Sequence, residues 1–241
     1  MTIVEHLDEL RKRLIISVAA IAVGSVVGFV FYDRILAFLA GPYQDAVAAL
    51  PEAATRPTPD DLVALSPAEP FVAFLKIGFF TGFLIALPVV LWQLWRFITP
   101  GLTSRERRLA IPFVLTSVLL FAGGTVFAFA ILPRGLRFLF SFGSGDIVPL
   151  LTVDRYLGFL IFLILAFGLG FELPLALIFL AGARLIDSTQ MRRWRRYALV
   201  GTAVFAAVAT PTQDPYTMLL MWVPLYLLYE GAILVARLMK R

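Results

Sequence analysis

Uninterrupted apolar blocks fix the fold class of this chain before any other feature does. The run Leu160-Ile161-Phe162-Leu163-Ile164-Leu165-Ala166-Phe167-Gly168-Leu169-Gly170 carries no charge and no alternation of polar with apolar residues. A membrane β-strand needs alternation over about 9–11 residues, and a helix on a soluble core keeps a polar stripe. Neither pattern is present. Blocks of about 18 or more apolar residues read as membrane-spanning helices, because a lone segment in lipid must satisfy its own backbone hydrogen bonds. Composition agrees: 60% of the 241 residues are hydrophobic and 15% charged, against about 45–50% and about 25% in soluble domains. The chain reads as an all-α integral membrane protein.

Six spans are predicted, at 14–32, 71–98, 109–132, 156–183, 197–210 and 216–236, forming one transmembrane domain over residues 1–241. The first is longer than the roughly 7–15 apolar residues of a cleaved leader and is kept as a span. Lys and Arg set the orientation. One side collects the N-terminus, the second and fourth connections and the C-terminus, with 15 basic residues against 6 on the other. Both termini are therefore expected in the cytoplasm. The longest connection, 33–70, carries prolines at 42, 51, 57, 59, 67 and 70 and is expected to form an extended proline-rich outer cap with at most short helices. The fourth span, 28 residues with Pro174 inside, is long enough to tilt or kink. The fifth, 14 residues ending before Pro211, reaches roughly 21 Å, short of a hydrocarbon core of about 30 Å.

Several polar groups stand out against this background. Glu9 precedes the first span and lies one helical turn before Arg13, so it either forms an ordinary i,i+4 pair or offers its carboxylate to a basic ligand. Trp92 and Trp95 read as interfacial belt residues. Beyond Pro100-Gly101, Thr103 or Ser104 can cap the next helix, with Glu106 in its first turn. Glu172 sits mid-span, where an ionised acid is costly and faces a cavity or partner. Pro174 removes the hydrogen bond that the Gly170 carbonyl would otherwise receive, which places a polar notch beside that acid. Glu230 lies two turns from Arg237 and reads as an acid snorkelling to the interface.

In order and spacing, the segments HLDELRKR, Gly41-Pro42, Ser66-Pro67-Ala68-Glu69-Pro70-Phe71, WQLWRFITPGL, Glu106-Arg107-Arg108, FGLGFELP, Ala209-Thr210-Pro211-Thr212 with Asp214-Pro215, and PLYLLYE resemble the TatC family. That family is the multispanning receptor of the twin-arginine protein translocase. The resemblance implies a receptor, not an enzyme, in a prokaryotic cytoplasmic membrane. It would bind the twin-arginine signal peptides of folded precursors and assemble with TatA-like and TatB-like single-span subunits into a multimeric complex driven by the proton motive force. It also implies that Glu9 and Glu106 form the signal-peptide site, among Arg11, Arg13, Arg107 and Arg108, whose guanidinium groups compete with those of the ligand. Glu172, Pro174 and Glu230 become an intramembrane partner site, and Pro42, Glu69, Phe71 and Asp214 structural residues of the outer face. Many members carry glutamine where Met218 stands here.

Other functions find less support. The pI near 9.8 is explained by topogenic arginines, so no nucleic acid is expected. A nucleotide-driven pump lacks a phosphate-binding loop, the single histidine, His6, precedes the first span, and there is no cysteine. No metal or cofactor is called for. The competing reading is an ion-coupled small-solute transporter using Glu172, against which the missing inverted repeat counts.

Overall fold

The computed structural model describes residues 3–48, 62–98, 110–141, 151–182, 185–209 and 215–239. Among them are α1 (Ile3–Val30), α2 (Tyr32–Ala48), α3 (Glu69–Ile98), α4 (Ala110–Phe140), α5 (Val153–Gly182), α6 (Ser188–Arg193), α7 (Arg195–Ala209) and α8 (Pro215–Met239). The only extended pairing among the described residues is an isolated bridge between Val63 and Thr152. Among the described residues, five helices are long and apolar enough to cross a membrane: Val4–Val30, Glu69–Phe97, Ile111–Phe140, Val153–Gly182 and Pro215–Met239. Large apolar side chains such as Val23, Leu119 and Val126 stand on their surfaces at 73%, 71% and 69% exposure, which suits lipid and not water.

The described residues divide between two compact units: the first within 1–41, 62–118 and 151–158, the second within 42–61, 119–150 and 159–241. In the first, α1 lies directly on α3. The reason is in the sequence: Gly24 and Gly28 on α1 meet Gly82 and Gly78 on α3, two GxxxG pairs face to face. A Cβ on Gly24 would stand 2.8 Å from the Gly82 carbonyl oxygen, and one on Gly28 would stand 2.8 Å from that of Gly78. Backbones this close leave no room for a side chain, and van der Waals contact along such a seam drives helix association in lipid. Three polar ties join the start of α5 to the same unit. Lys76 Nζ donates to Asp154 Oδ1 at 2.6 Å, Val153 N donates to the Val63 carbonyl at 3.0 Å, and the buried Tyr156 hydroxyl donates to the Leu39 carbonyl at 2.6 Å.

In the second unit α6, α7 and α8 pack together. Met191, Tyr229, Ala232, Ile233 and Ala236 form a buried cluster, pinned where the Tyr229 hydroxyl donates to the Met191 carbonyl at 2.7 Å. Phe127 of α4 meets Phe167 of α5 with ring centroids 5.1 Å apart.

Three sequence expectations change. Residues 32–48 form a 17-residue helix with Pro42 inside it, where loop and at most short helices were expected. Burial of Tyr43, Ala46 and Val47 outweighs the one hydrogen bond that Pro42 removes. The third predicted span was to stop at 132, yet α4 continues through Pro133 to Phe140, where Phe140 meets Tyr43 edge-on at 6.4 Å. The connection after α5 carries an unforeseen helix, α6. The predicted fifth span falls on α7, whose 15 residues extend roughly 22 Å. The core of the 33–70 prolines, 49–61, lies outside the described residues.

Candidate functional site

The start of α1 and the end of α3 come together in the first unit and bring the candidate acid with them. His6 stacks on Phe97 with centroids 4.4 Å apart, and one turn later Glu9 turns inward. Glu9 Oε1 accepts both Nε and Nη2 of Arg13, the former at 3.0 Å, so one carboxylate oxygen takes both donors and the two-oxygen fork that a guanidinium and a carboxylate can form is not used. Arg13 Nη1 also donates to Gln93 Oε1 of α3 at 3.3 Å. The predicted i,i+4 pair is present, with a third member 80 positions away in sequence.

The two oxygens of Glu9 differ. Oε2 is buried and accepts no hydrogen bond among the described residues. A buried carboxylate oxygen left in that state loses roughly 1–3 kcal/mol relative to solvation. It is a ready acceptor for a donor brought from outside. Both side chains of the pair retain 16% exposure, so the group lies just beneath the surface. Arg11 is exposed beside it.

Trp95 is not the interfacial belt residue expected: it is 1% exposed and packs on Phe113 of α4 with centroids 4.3 Å apart, so it fixes the end of α3 from within. Glu106, Arg107 and Arg108, the other half of the expected patch, lie outside the described residues, as does Asp214.

In the second unit Glu172 is half-buried on α5, with its Oε1 buried, and Pro174 is buried one residue beyond Leu173. A Cβ on Gly170 would collide with Leu225 of α8, at 2.5 Å. Glu230, read from sequence as an acid snorkelling to the interface, is tied to two side chains. Its Oε2 accepts Arg195 Nη2 at 2.6 Å and its Oε1 accepts the Tyr226 hydroxyl at 2.9 Å. This acid is held internally, between α7 and α8. Glu69 opens α3 and its Oε2 accepts the Leu65 amide at 3.2 Å, so it closes the turn ahead of that helix. Phe71 is 63% exposed.

Sequence reasoning overlooked Gln93 and the Lys76–Asp154 pair. A lysine inside an apolar block was the available signal for the second, since a cation there requires a partner. No group of acids and histidines among the described residues is arranged to hold a metal ion.

Comparison with known proteins places these features in a family. The family described as TatC, Sec-independent protein translocase protein, matches residues 5–224. A Sec-independent protein translocase protein TatC from Frankia casuarinae is 42% identical, over all of this chain and 67% of that protein. One from Aquifex aeolicus is 41% identical, over all of this chain and 97% of its own length. A crystal structure described as the twin arginine translocase receptor TatC superposes with a TM-score of 0.80 at 40% identity, covering 98% of this chain and all of that one.

Proposed function

This chain belongs to the TatC family of Sec-independent protein translocase proteins, and on that footing we propose that its Glu9 carboxylate receives an arginine of a precursor's twin-arginine signal peptide. The chain is a multi-pass membrane protein and a core subunit of the twin-arginine translocase, without enzymatic activity; small-solute transport through Glu172 is not supported. The observation that carries the proposal is the asymmetry of Glu9. One oxygen is engaged by Arg13, and the other is buried and accepts nothing among the described residues. An arginine entering from the membrane surface meets an oriented acceptor, and Arg13, anchored to Gln93, can yield part of its hold as the ligand binds. A lysine offers a point charge in place of the fork and gains less. Glu106 completes the patch in this reading, with Arg11, Arg107 and Arg108 as competing cations.

The finer picture follows the same reading. The basic ends of the helices face the cytoplasm, α7 is a sixth, short span, and residues 1–241 act as one domain in the prokaryotic inner membrane. TatA-like and TatB-like single-span subunits assemble around Glu172 and Pro174, with Glu230 fixing α7 to α8. Pro42, Glu69, Phe71 and Asp214 shape the opposite face. Photocrosslinkers at the exposed positions 6 and 96 of the full chain, one turn from Glu9 and from Gln93 and leaving both in place, test the site. They are expected to capture a twin-arginine precursor and to lose it when the precursor's arginine pair becomes a lysine pair. Equal capture of both precursors would remove the site from this region.

A further inference from the structure

An open groove of about 560 Å³ runs along α7 in the second unit, lined by Trp194, Tyr197, Gly201 and Phe205 with Leu225 of α8 and Leu173 of α5. We propose that it binds one anionic phospholipid, with an acyl chain along the groove and the phosphate on Arg196 at its mouth. Positions 194, 197, 201 and 205 recur at helical spacing, so the floor follows α7 for roughly 16 Å. The volume lies within the range of about 300–1,000 Å³ typical of ligand pockets.

Two observations select the occupant. The first is charge. Arg196 lies over the ring of the groove-lining Tyr197, 4.8 Å from its centroid, and donates to the Tyr197 hydroxyl at 2.9 Å. A guanidinium has five N–H donors, and that contact uses one. Arg192 and Arg193 add two exposed cations in the preceding turn. Arg195 is excluded from the count because Glu230 holds it. The one acid of residues 185–209 is Asp187. Arg196 thus stands at an apolar groove, with Arg192 and Arg193 close before it in the chain, an arrangement that an amphiphile with an anionic head complements.

The second is that the two polar groups deep in the wall, Thr202 and Tyr229, are already satisfied. Thr202 Oγ1 donates to the Ala198 carbonyl at 2.7 Å and accepts Trp222 Nε1 at 3.1 Å. The Tyr229 hydroxyl is committed to the Met191 carbonyl. A hydrocarbon chain needs nothing more from such a wall. The gap is real at its centre: a Cβ on Gly201 would meet nothing within 4 Å.

Native mass spectrometry of the detergent-purified full chain, titrated with phosphatidylglycerol and with phosphatidylcholine of the same acyl chains, tests this. Selective retention of one phosphatidylglycerol is expected. Exchanging Arg192, Arg193 and Arg196 together for Gln should weaken it on the order of 100-fold, each basic group near a lipid headgroup being worth about fivefold. Gly201→Phe should abolish retention while leaving thermal unfolding unchanged, since the ring enters open space. Equal retention of the two lipids, loss of the lipid to millimolar inorganic phosphate, or full retention by Gly201→Phe would each overturn the proposal. So would a purified complex in which a single-span partner helix occupies the groove and no lipid is retained.

Discussion

α1 and α7 are both mostly exposed helices, yet they are attached to their neighbours in opposite ways. On α1 the contact is backbone to backbone, glycine against glycine, with no tolerance for an added methyl group at Gly24 or Gly28. Among the described side chains of α7 only Thr202 and Ala206 are buried. Its link to α8 is made by side chains, an indole N–H on Thr202 and the Leu199 carbonyl and an ion pair between Arg195 and Glu230. A glycine seam has one register and transmits force without slack. A side-chain stitch can open bond by bond, and interhelical hydrogen bonds in membranes average only about 0.6 kcal/mol. The Glu9 site is built on the rigid seam, and the groove lies on the adaptable helix.

The sharpest way to break this comparison is Gly82→Leu. A Cβ there would stand 2.6 Å from the Ile21 carbonyl oxygen, so α1 must separate from α3. A loss of about 3 kcal/mol or more is expected, read as a collapse in yield of stably inserted protein and a lowered unfolding midpoint in detergent. Lys76→Met comes next. It leaves Asp154 without its cation in a pair whose side chains are about one-third exposed; solvent screening limits the expected loss to about 1 kcal/mol, measured by the same unfolding assay. Asp154→Asn in the Lys76→Met background should then add little. On α7, Thr202→Val should lose only about 0.6 kcal/mol, because Trp222 keeps the Leu199 carbonyl, 3.1 Å away. Gly201→Ala should be neutral or stabilising by up to about 1 kcal/mol through helix propensity, whereas the same change at Gly24 should destabilise. If both glycines tolerate alanine equally, the distinction between the two helices disappears.

What could be read from sequence followed the range of the interaction. The long helices were legible because every residue in a block reports the same apolar surroundings, and the Glu9–Arg13 pair because both members lie one turn apart. Gln93 was not, since nothing local marks a side chain whose partner is 80 positions away. The partner of Glu230 was hidden for the same reason: Arg195, which holds it, comes from α7, 35 positions away. Pro42 misled because proline chemistry is local and the burial of Tyr43 is not. Sequence also gave Trp95 an interfacial place by residue type, where packing on Phe113 puts it inside.

The central claim is that Glu9 receives a signal-peptide arginine, and a binding cycle on the purified full chain in lipid nanodiscs tests it most directly. The affinity for a twin-arginine signal peptide and for its twin-lysine counterpart is measured with Glu9 and with Glu9→Gln. Loss of a charge-assisted hydrogen bond is worth about 1.5–3 kcal/mol, so Glu9→Gln should bind the arginine peptide on the order of 10- to 100-fold more weakly and lose most of its preference over the lysine peptide. An unchanged affinity, or an equal loss for both peptides with the preference intact, would contradict the account.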